Sequence, residues 1–329
     1  MQFLQMLPAP RTLLATTLAL ATPLMASAQA QANWPVKPIR IVAAYAPGGG
    51  PERVIRTIAD GMGKRLGQPV IIEYKPGASG NIGFAEVARG QADGYTWVTS
   101  TDTTWTINPH IYKNTGFKQA DVVPVSLISS LSLVLACHPS SGVKTAQDLV
   151  ARAKSGKPMA FASTGTGGSA HVTMARMMEA GRFEMTHVPY RGPGPAVADL
   201  IGGQVDCSFL PASTVQEHIK SGRLNGVAAA TRYRPASLPD VPTLAEQGFK
   251  DFDATFYVGF FAPRGVPAEI RTRFENALAE TIRTPEVLEA FAGNANRPEG
   301  MTADASLKEL QRLSDQWQGL VRRLNVNLE

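Results

Sequence analysis

Three stretches of the sequence are rich in glycine and in hydroxyl side chains, a composition that can bind an anion without any arginine. They span residues 47–50, 100–104 and 163–169, and each follows a run predicted to be a β-strand. Glycines let successive backbone amides converge on one oxygen, and the first amides of a helix are unpaired and lie at the positive end of its dipole. One such loop is most simply a tight turn, but three together indicate a carboxylate site.

Other chemistries have weaker support. Residues 165–170 match the dinucleotide pattern G-x-G-x-x-A, but the next strand ends in residues 187–190, where the acidic ribose partner is missing. The sequence has no Walker A motif, no G-x-S-x-G and no H-E-x-x-H. Of five scattered histidines, only His171 is placed to hydrogen-bond a ligand, and a capping or packing role is an equal alternative. We expect no catalytic residue, no cofactor and no metal site.

The elements that position these loops alternate along the chain. Short β-rich runs alternate with amphipathic helical stretches, which predicts α/β layers around mainly parallel sheets. A second series begins near Leu133, and the C-terminal stretch has too few strands for a third sheet. We predict two hinge crossings between lobe 1, residues 33–130 plus 235–329, and lobe 2, residues 131–234. This is the architecture of a type II periplasmic binding protein, a Venus flytrap with its ligand in the cleft.

The N-terminus has the pattern of a secretory signal peptide, residues 1–30. Arg11 is the one charged side chain there, and an apolar run over residues 13–25 leads into small residues. The run is shorter than the roughly 20 apolar residues of a permanent membrane helix. Cleavage is expected near Ala28 or Ala30. The mature protein would then be in the periplasm and would not be embedded in the membrane.

Composition narrows the partners. With 329 residues and 44% hydrophobic side chains, the chain can bury a core in two domains. The net charge of +5 is not clustered, which argues against a nucleic-acid partner. Cys137 and Cys207 both fall in predicted strands, and we interpret them as two separate buried thiols, with a disulfide as the alternative.

Several phrases of the sequence resemble the Bug family, and they occur in order over nearly the whole mature chain. They are found at residues 34–40, 47–49, 67–70, 76–83, 93–96, 107–109, 187–192, 200–206, 238–243 and 259–263. The resemblance implies a periplasmic solute-binding protein of a tripartite tricarboxylate transporter, not an enzyme. Such a protein takes up a small carboxylate and delivers it to a two-component membrane permease.

The resemblance also implies a deep site in which one carboxylate is held by backbone groups and ordered waters. The matching positions are Gly48, Gly49, Thr101, Thr104, Ser163, Thr164, Gly167 and Ser169. One departure is that Pro51 and Glu52 stand where the family usually has Thr and Asp. This removes a hydroxyl donor, so the pocket is expected to differ there from the common pattern.

The far end of the ligand is harder to predict. Tyr45, Trp105, Phe256 and Tyr257 adjoin the predicted cleft loops, and they form either a wall for a planar ring or ordinary packing. This slightly favours an aromatic carboxylate such as terephthalate over a di- or tricarboxylate. Arg191 either pairs with a second carboxyl group or is a solvated loop charge. The alternative functions are an exported enzyme acting on a carboxylate and a loaded partner of a membrane sensor kinase.

Overall fold

The computed structural model describes residues 33–45, 47 and 51–324, which form two β-sheets covered by helices. The predicted signal peptide lies outside the described residues, and so do the predicted site residues Gly48 and Gly49. Within the described part of the chain, no helix is long and apolar enough to cross a membrane.

Eleven strands and eleven α-helices are named here in chain order, within the described ranges. The strands are β1 Ile39–Ala43, β2 Val70–Tyr74, β3 Thr96–Thr101, β4 Val122–Leu131, β5 Leu133–Cys137, β6 Ala160–Ser163, β7 Thr186–Pro189, β8 Cys207–Pro211, β9 Asn225–Ala229, β10 Phe256–Pro263 and β11 Asn296–Pro298. The helices are α1 Glu52–Leu66, α2 Asn81–Ala88, α3 Thr103–Thr106, α4 Asn108–Ile111, α5 Ala146–Lys154, α6 Ser169–Gly181, α7 Pro193–Ile201, α8 Ala212–Lys220, α9 Ala268–Ile282, α10 Pro285–Gly293 and α11 Ala303–Leu324.

The first sheet has six strands in the order β11-β4-β10-β3-β1-β2. Its β1–β3 strands are parallel, and β10 inserts antiparallel between β3 and β4. All eight residues of β10 are buried, which fits a continuous apolar run covered on both faces. Ile39 and Ile41 face one core with α1, α9 and α10, whereas Val42 faces the other with α2 and α11.

The second sheet has five strands in the order β7-β6-β8-β5-β9. Strands β6, β7 and β8 are parallel, and β5 is antiparallel to β8 and β9. Helices α5 and α6 pack on one face, and α7 and α8 pack on the other. The α/β class that the sequence predicts is confirmed.

The chain passes between the sheets at two adjacent places. Strand β4 ends at Leu131 and β5 begins at Leu133, so Ser132 alone joins them. The return passage runs through Ala254 and Thr255, because the Ala254 amide still donates to lobe 2 (Ala230 O, 2.9 Å) while the next residue but one starts β10.

The segment 235–253, which the sequence analysis assigns to lobe 1, packs on the five-stranded sheet. Leu238 and Val241 are buried in the core that α7 and α8 share with that sheet. Thr243 forms a parallel bridge with Ala229, the last residue of β9. This segment has few regular elements, so only its packing reveals the sheet to which it belongs.

The cysteines differ from the favoured interpretation. Cys137 at the end of β5 lies directly opposite Cys207 at the start of β8, and the two form a disulfide with a Cα–Cα distance of 4.0 Å. The interpretation as two separate buried thiols is therefore wrong. The sequence places both residues in strands, but their pairing depends on the sheet order, which composition and spacing do not reveal.

Candidate functional site

Two of the three polar loops, residues 100–104 and 163–169, lie at strand ends that face the junction between the sheets. In the first sheet β1, β3 and β4 run in the same direction, since β10 is antiparallel to both β3 and β4. Strand β4 leads through Ser132 into β5, so the carboxyl ends of β1 and β3 lie at this junction. In the second sheet β8 is antiparallel to β5, and β6 and β7 run with β8. Their carboxyl ends therefore face the same junction.

The lobe 1 loop after β3 is held by hydroxyl and amide side chains. The Thr104 hydroxyl donates to the carbonyl of Ser79 at 3.1 Å and lies 2.8 Å from Ser100 Oγ. The Asn108 amide also donates to Ser79 O, at 3.0 Å, and to Asn81 Oδ1, at 2.7 Å. The buried Thr104 hydroxyl is thus already engaged within lobe 1, and its role is to fix the loop after β3 against the loop after β2.

Close packing at this network requires a glycine. Gly80 has a φ of 92°, and an added Cβ would lie 2.6 Å from Thr104 Oγ1 and 3.2 Å from Ser100 Oγ. A side chain there would push the two loops apart. Thr101 is half-buried at the end of β3, and its hydroxyl lies 2.8 Å from that of Thr103.

The lobe 2 loop after β6 is held by a serine and two histidines. Ser163 Oγ lies 2.6 Å from His187 Nε2, donates to Gly165 O at 3.1 Å and accepts from the Gly165 amide at 3.2 Å. His171 Nδ1 accepts from the Gly167 amide at 3.0 Å. The rings of His171 and His187 stack with centroids 4.1 Å apart. The observed contacts of His171 are therefore packing and loop bracing.

Burial controls the charge of both imidazoles. Burial and the neighbouring His187 lower the pKa of His171 to about 4, and burial also lowers the pKa of His187. Both rings are therefore neutral at neutral pH. A neutral His171 can accept the hydrogen bond from Gly167 through Nδ1 only if its proton is on Nε2.

Helix α6 presents unpaired amides at this loop. The first bond back into the turn is from Val172 N to Gly168 O, at 3.1 Å, so the amides of Ser169, Ala170 and His171 have no partner in the helix. The hydroxyls of Thr164 and Ser169 are half-buried and make no hydrogen bond to a described residue. These groups are the free donors of lobe 2, whereas the Gly167 amide is used by His171.

The loop after β7 adds a tyrosine and an arginine. Tyr190 donates from its amide to Ser163 O and from its hydroxyl to Asp199 Oδ2, at 2.9 and 2.7 Å. Burial, together with the neighbouring Asp199, raises the pKa of Tyr190 to about 12. Arg191 is exposed and makes no ion pair within the described residues. It is the cation nearest in sequence to this loop and has no competing partner there.

The sequence left two interpretations for the four aromatic side chains, a wall of the cleft or ordinary packing. The contacts of Trp105 and Phe256 are those of ordinary packing. Trp105 is 6% exposed and packs in the core, and Phe256 is 1% exposed and stacks on Trp317 with centroids 5.5 Å apart. Tyr257 donates its hydroxyl to Glu309 at 3.3 Å. Tyr45 packs half-buried against the lobe 1 core, and burial raises the pKa of its hydroxyl. These rings follow the pleat of buried strands and the inner face of α3, so Trp105 and Phe256 are core residues.

Sequence reasoning missed the residues that brace the loops. Ser79, Asn81, Asn108 and His187 are not among the predicted site residues, yet they make the contacts described above. All four fall in the phrases that carry the family resemblance, so that resemblance was the available signal. No cluster of three or more metal-ligating side chains occurs within the described ranges.

Comparisons with known proteins agree with this geometry. The family model "Tripartite tricarboxylate transporter family receptor" matches residues 54–326. The protein BugT of Bordetella pertussis is 31% identical over 301 residues, which cover 90% of this chain and 92% of BugT. The structure of the periplasmic binding protein BugD is similar with a TM-score of 0.79 and 28% identity, over 90% of this chain and 100% of BugD.

A further similar structure contains a bound ligand. MatC from Rhodopseudomonas palustris with bound malate has a TM-score of 0.78 and 25% identity, over 88% of this chain and all of MatC. The predicted resemblance to the Bug family is confirmed by these matches. So is the prediction of a binding protein, because the family and these neighbours are receptors and binding proteins, not enzymes. The chain belongs to the tripartite tricarboxylate transporter receptor family.

Proposed function

We propose that the protein is a periplasmic receptor that binds a small carboxylate between its two lobes and delivers it to a tripartite tricarboxylate transporter permease. The observation that carries this proposal is the convergence of polar strand-end loops from both sheets on one junction. Such an arrangement lets a ligand bind both lobes at once and favours the closed form.

The chemistry of the free donors favours a carboxylate. The first amides of α6 and the hydroxyls of Thr164 and Ser169 lie on lobe 2, and the Thr101 hydroxyl lies at the loop of lobe 1. We assign the proximal carboxylate to these groups together with Gly48 and Gly49. Charge-assisted hydrogen bonds of this kind are about twice as strong as neutral ones. Thr104, Ser163, Gly167 and His171 hold the loops in place.

The position of the rings changes the preferred ligand class. Since Trp105 and Phe256 pack in the core, these two rings are not available to stack on a planar aromatic acid. We infer an aliphatic dicarboxylate, with Arg191 pairing with its distal carboxyl group. MatC, which is described with bound malate, supports this inference.

Export and delivery complete the proposal. The N-terminal signal pattern of residues 1–30 and the periplasmic neighbours support export, with cleavage near Ala28 or Ala30. The partner is inferred from the family, whose members are receptors of a transporter.

The test is a thermal-shift screen of aliphatic and aromatic mono-, di- and tricarboxylates, followed by calorimetry. A ligand that binds only the folded state raises the melting temperature by mass action. The amide of the best acid is expected to bind at least about tenfold more weakly, because it lacks the charge that the amide donors stabilise. Equal binding of the acid and its amide would contradict the proposal.

Arg191→Gln tests the distal contact. It is expected to weaken a dicarboxylate by about tenfold and a monocarboxylate hardly at all, since one charge-assisted pair is lost. Arg273→Gln, an exposed change on α9, is the matched control. If the variant weakens both ligand types equally, Arg191 does not read the second carboxyl group.

A further inference from the structure

Asp102 connects the lobe 1 loop to the middle of the first sheet. It follows the last residue of β3, precedes α3 and is completely buried. Its Oδ1 accepts from the Tyr257 amide at 2.9 Å, and its amide donates to Tyr257 O at 2.9 Å. Its carbonyl accepts from the amides of Trp105 and Thr106, at 2.9 and 2.8 Å. Asp102 therefore fixes the loop 100–104 to β10 by its side chain and to α3 by its backbone.

The other carboxyl oxygen of Asp102 has neither a hydrogen-bond donor nor a cation beside it. Oδ2 is buried and has no hydrogen-bond partner among the residues that the structure describes. The titratable and charged groups that face Asp102 are Tyr257 of β10 and Glu309 of α11, and α3 contributes none. Neither of these groups is a cation, and the cation beyond them, Arg312 of α11, is paired with Glu309 at 2.6 and 2.8 Å. Burial, with a smaller contribution from Glu309, raises the pKa of the Asp102 carboxyl group to about 7.

The contact reaches the crossing between the lobes. Tyr257 pairs with Ser130 of β4, two residues before Ser132. The Ser130 hydroxyl lies 2.7 Å from Tyr233 OH, in the chain that follows β9. Tyr257 therefore contacts both Asp102, in the loop of lobe 1, and the strand that leads into the crossing.

We propose that Asp102 is a positioning residue of the carboxylate site and works as an uncharged acid, holding the loop 100–104 to β10 without placing a negative charge behind it. This inference rests on the proposed function, because it assumes that the loop 100–104 receives an anion. An ionised Asp102 would repel that anion through a protein interior where charges are poorly screened. It would also be a buried charge with no counter-ion beside it, which is costly in itself.

A consequence is that ligand binding and protonation of Asp102 favour each other. By linkage, an anion that binds better to the protonated form also raises the affinity of Asp102 for its proton. Affinity for a carboxylate is therefore expected to fall as the pH rises through about 7. A purely structural aspartate that is ionised throughout this range would give no such dependence.

The state of Asp102 is measured directly by carbon-13 NMR of protein labelled at its aspartate carboxyl groups, with no ligand added. Asp102→Asn identifies the Asp102 signal, and the exposed Asp240→Asn is the control. We expect the Asp102 signal to titrate near pH 7, whereas an exposed aspartate titrates near pH 4. A signal that titrates near pH 4 overturns the proposal, whatever the ligand is.

Its role in binding is measured by calorimetry with malate, adipate and benzoate at about pH 6 and about pH 8.5. For an acid that binds, wild type and Asp240→Asn are expected to lose about tenfold in affinity over this interval. Asp102→Asn keeps the acceptor oxygen without the charge, so its loss is expected to be less than about threefold. Equal losses in all three proteins overturn the positioning role. If none of the acids binds, that role falls with the proposed function, while the NMR titration still reports the protonation state.

Discussion

The two lobes brace their polar strand-end loops with opposite chemistry. In lobe 1 the loop 100–104 is fixed by a buried acid, Asp102, and by hydroxyl and amide contacts to the Ser79 carbonyl. In lobe 2 the loop 163–169 is fixed by two stacked imidazoles, His171 and His187. Below about pH 7 and above the lowered pKa values of the imidazoles, both arrangements leave the loop without net charge, which suits a site for an anion.

The two arrangements respond to pH in opposite directions. Asp102 has a pKa of about 7 in the folded protein, so between about pH 4 and pH 7 only the unfolded chain loses this proton and stability falls as the pH rises. His171 has a pKa of about 4, so below about pH 6.5 only the unfolded chain gains this proton and stability falls as the pH drops. Because both windows cover about pH 4 to pH 6.5, the two effects oppose each other there, and the loss due to Asp102 alone is expected only from about pH 6.5 to pH 7.

The largest expected difference between the lobes comes from the disulfide, which links two strands of lobe 2 across 70 residues of sequence. Replacing both Cys137 and Cys207 by Ala is expected to lower the free energy of unfolding by about 2–4 kcal/mol, mainly because the unfolded chain is no longer constrained. All four tryptophans lie in lobe 1, at positions 34, 97, 105 and 317. Tryptophan fluorescence therefore reports lobe 1, and far-UV circular dichroism reports both lobes.

In the double variant, the urea midpoint by circular dichroism is expected to precede the midpoint by fluorescence, because lobe 2 is weakened first. Wild type treated with a reducing agent is the matched control, provided that the reagent reaches the buried bond. Coincident midpoints at the wild-type position would show that the disulfide does not set the stability of lobe 2.

The intermediate effect concerns the histidine pair. Relative to wild type, the free energy of unfolding of His171→Gln is expected to rise by about 1–2 kcal/mol as the pH falls from about 6.5 to about 4. This figure allows for the partial exposure of the ring. Urea denaturation at several pH values measures it, with His138→Gln as a control elsewhere in lobe 2. An unchanged pH slope in His171→Gln would place the acid sensitivity outside this pair.

The smallest effect concerns the hydroxyl contacts of lobe 1. Thr104→Val keeps the shape of the side chain but removes a buried hydroxyl that donates to Ser79 O and contacts Ser100. The expected cost is about 1 kcal/mol in the free energy of unfolding, and Ser79 O keeps its bond from Asn108. Thr57→Val on α1 is the control for loss of a hydroxyl on a helix surface. If both variants lose the same free energy of unfolding, the Thr104 contact does not stabilise the loop.

Much of the fold follows from local patterns. Buried runs such as β10 and β5, and the apolar face of α1, are visible in the sequence, so the two-sheet α/β class could be predicted. The strand-end position of the polar loops follows from the same alternation. The passage at Ser132 lies where two strand-like runs of the sequence adjoin.

The rest depends on contacts between distant parts of the chain. Cys137 and Cys207 face each other only because β5 and β8 are neighbours in the sheet. Trp105 and Phe256 adjoin the cleft loops in sequence, but the direction of a side chain reverses within one or two residues along a strand or helix. The partnership of Asp102 with Tyr257 spans 155 residues, so spacing gave no signal for it.

The single-residue link between β4 and β5 limits how the molecule can open. Ser132 is buried, and its hydroxyl lies 2.9 Å from that of Thr231, next to Ala230, whose carbonyl accepts from the Ala254 amide of the return passage. The two connections are therefore adjacent. Rotation about a few backbone dihedral angles is then available, but sliding of one half past the other is not. Pairs of spectroscopic labels placed at the outer rim will separate widely on opening, while a pair beside Ser132 will hardly move. Under the proposed function, a solute would enter and leave through the rim opposite this link.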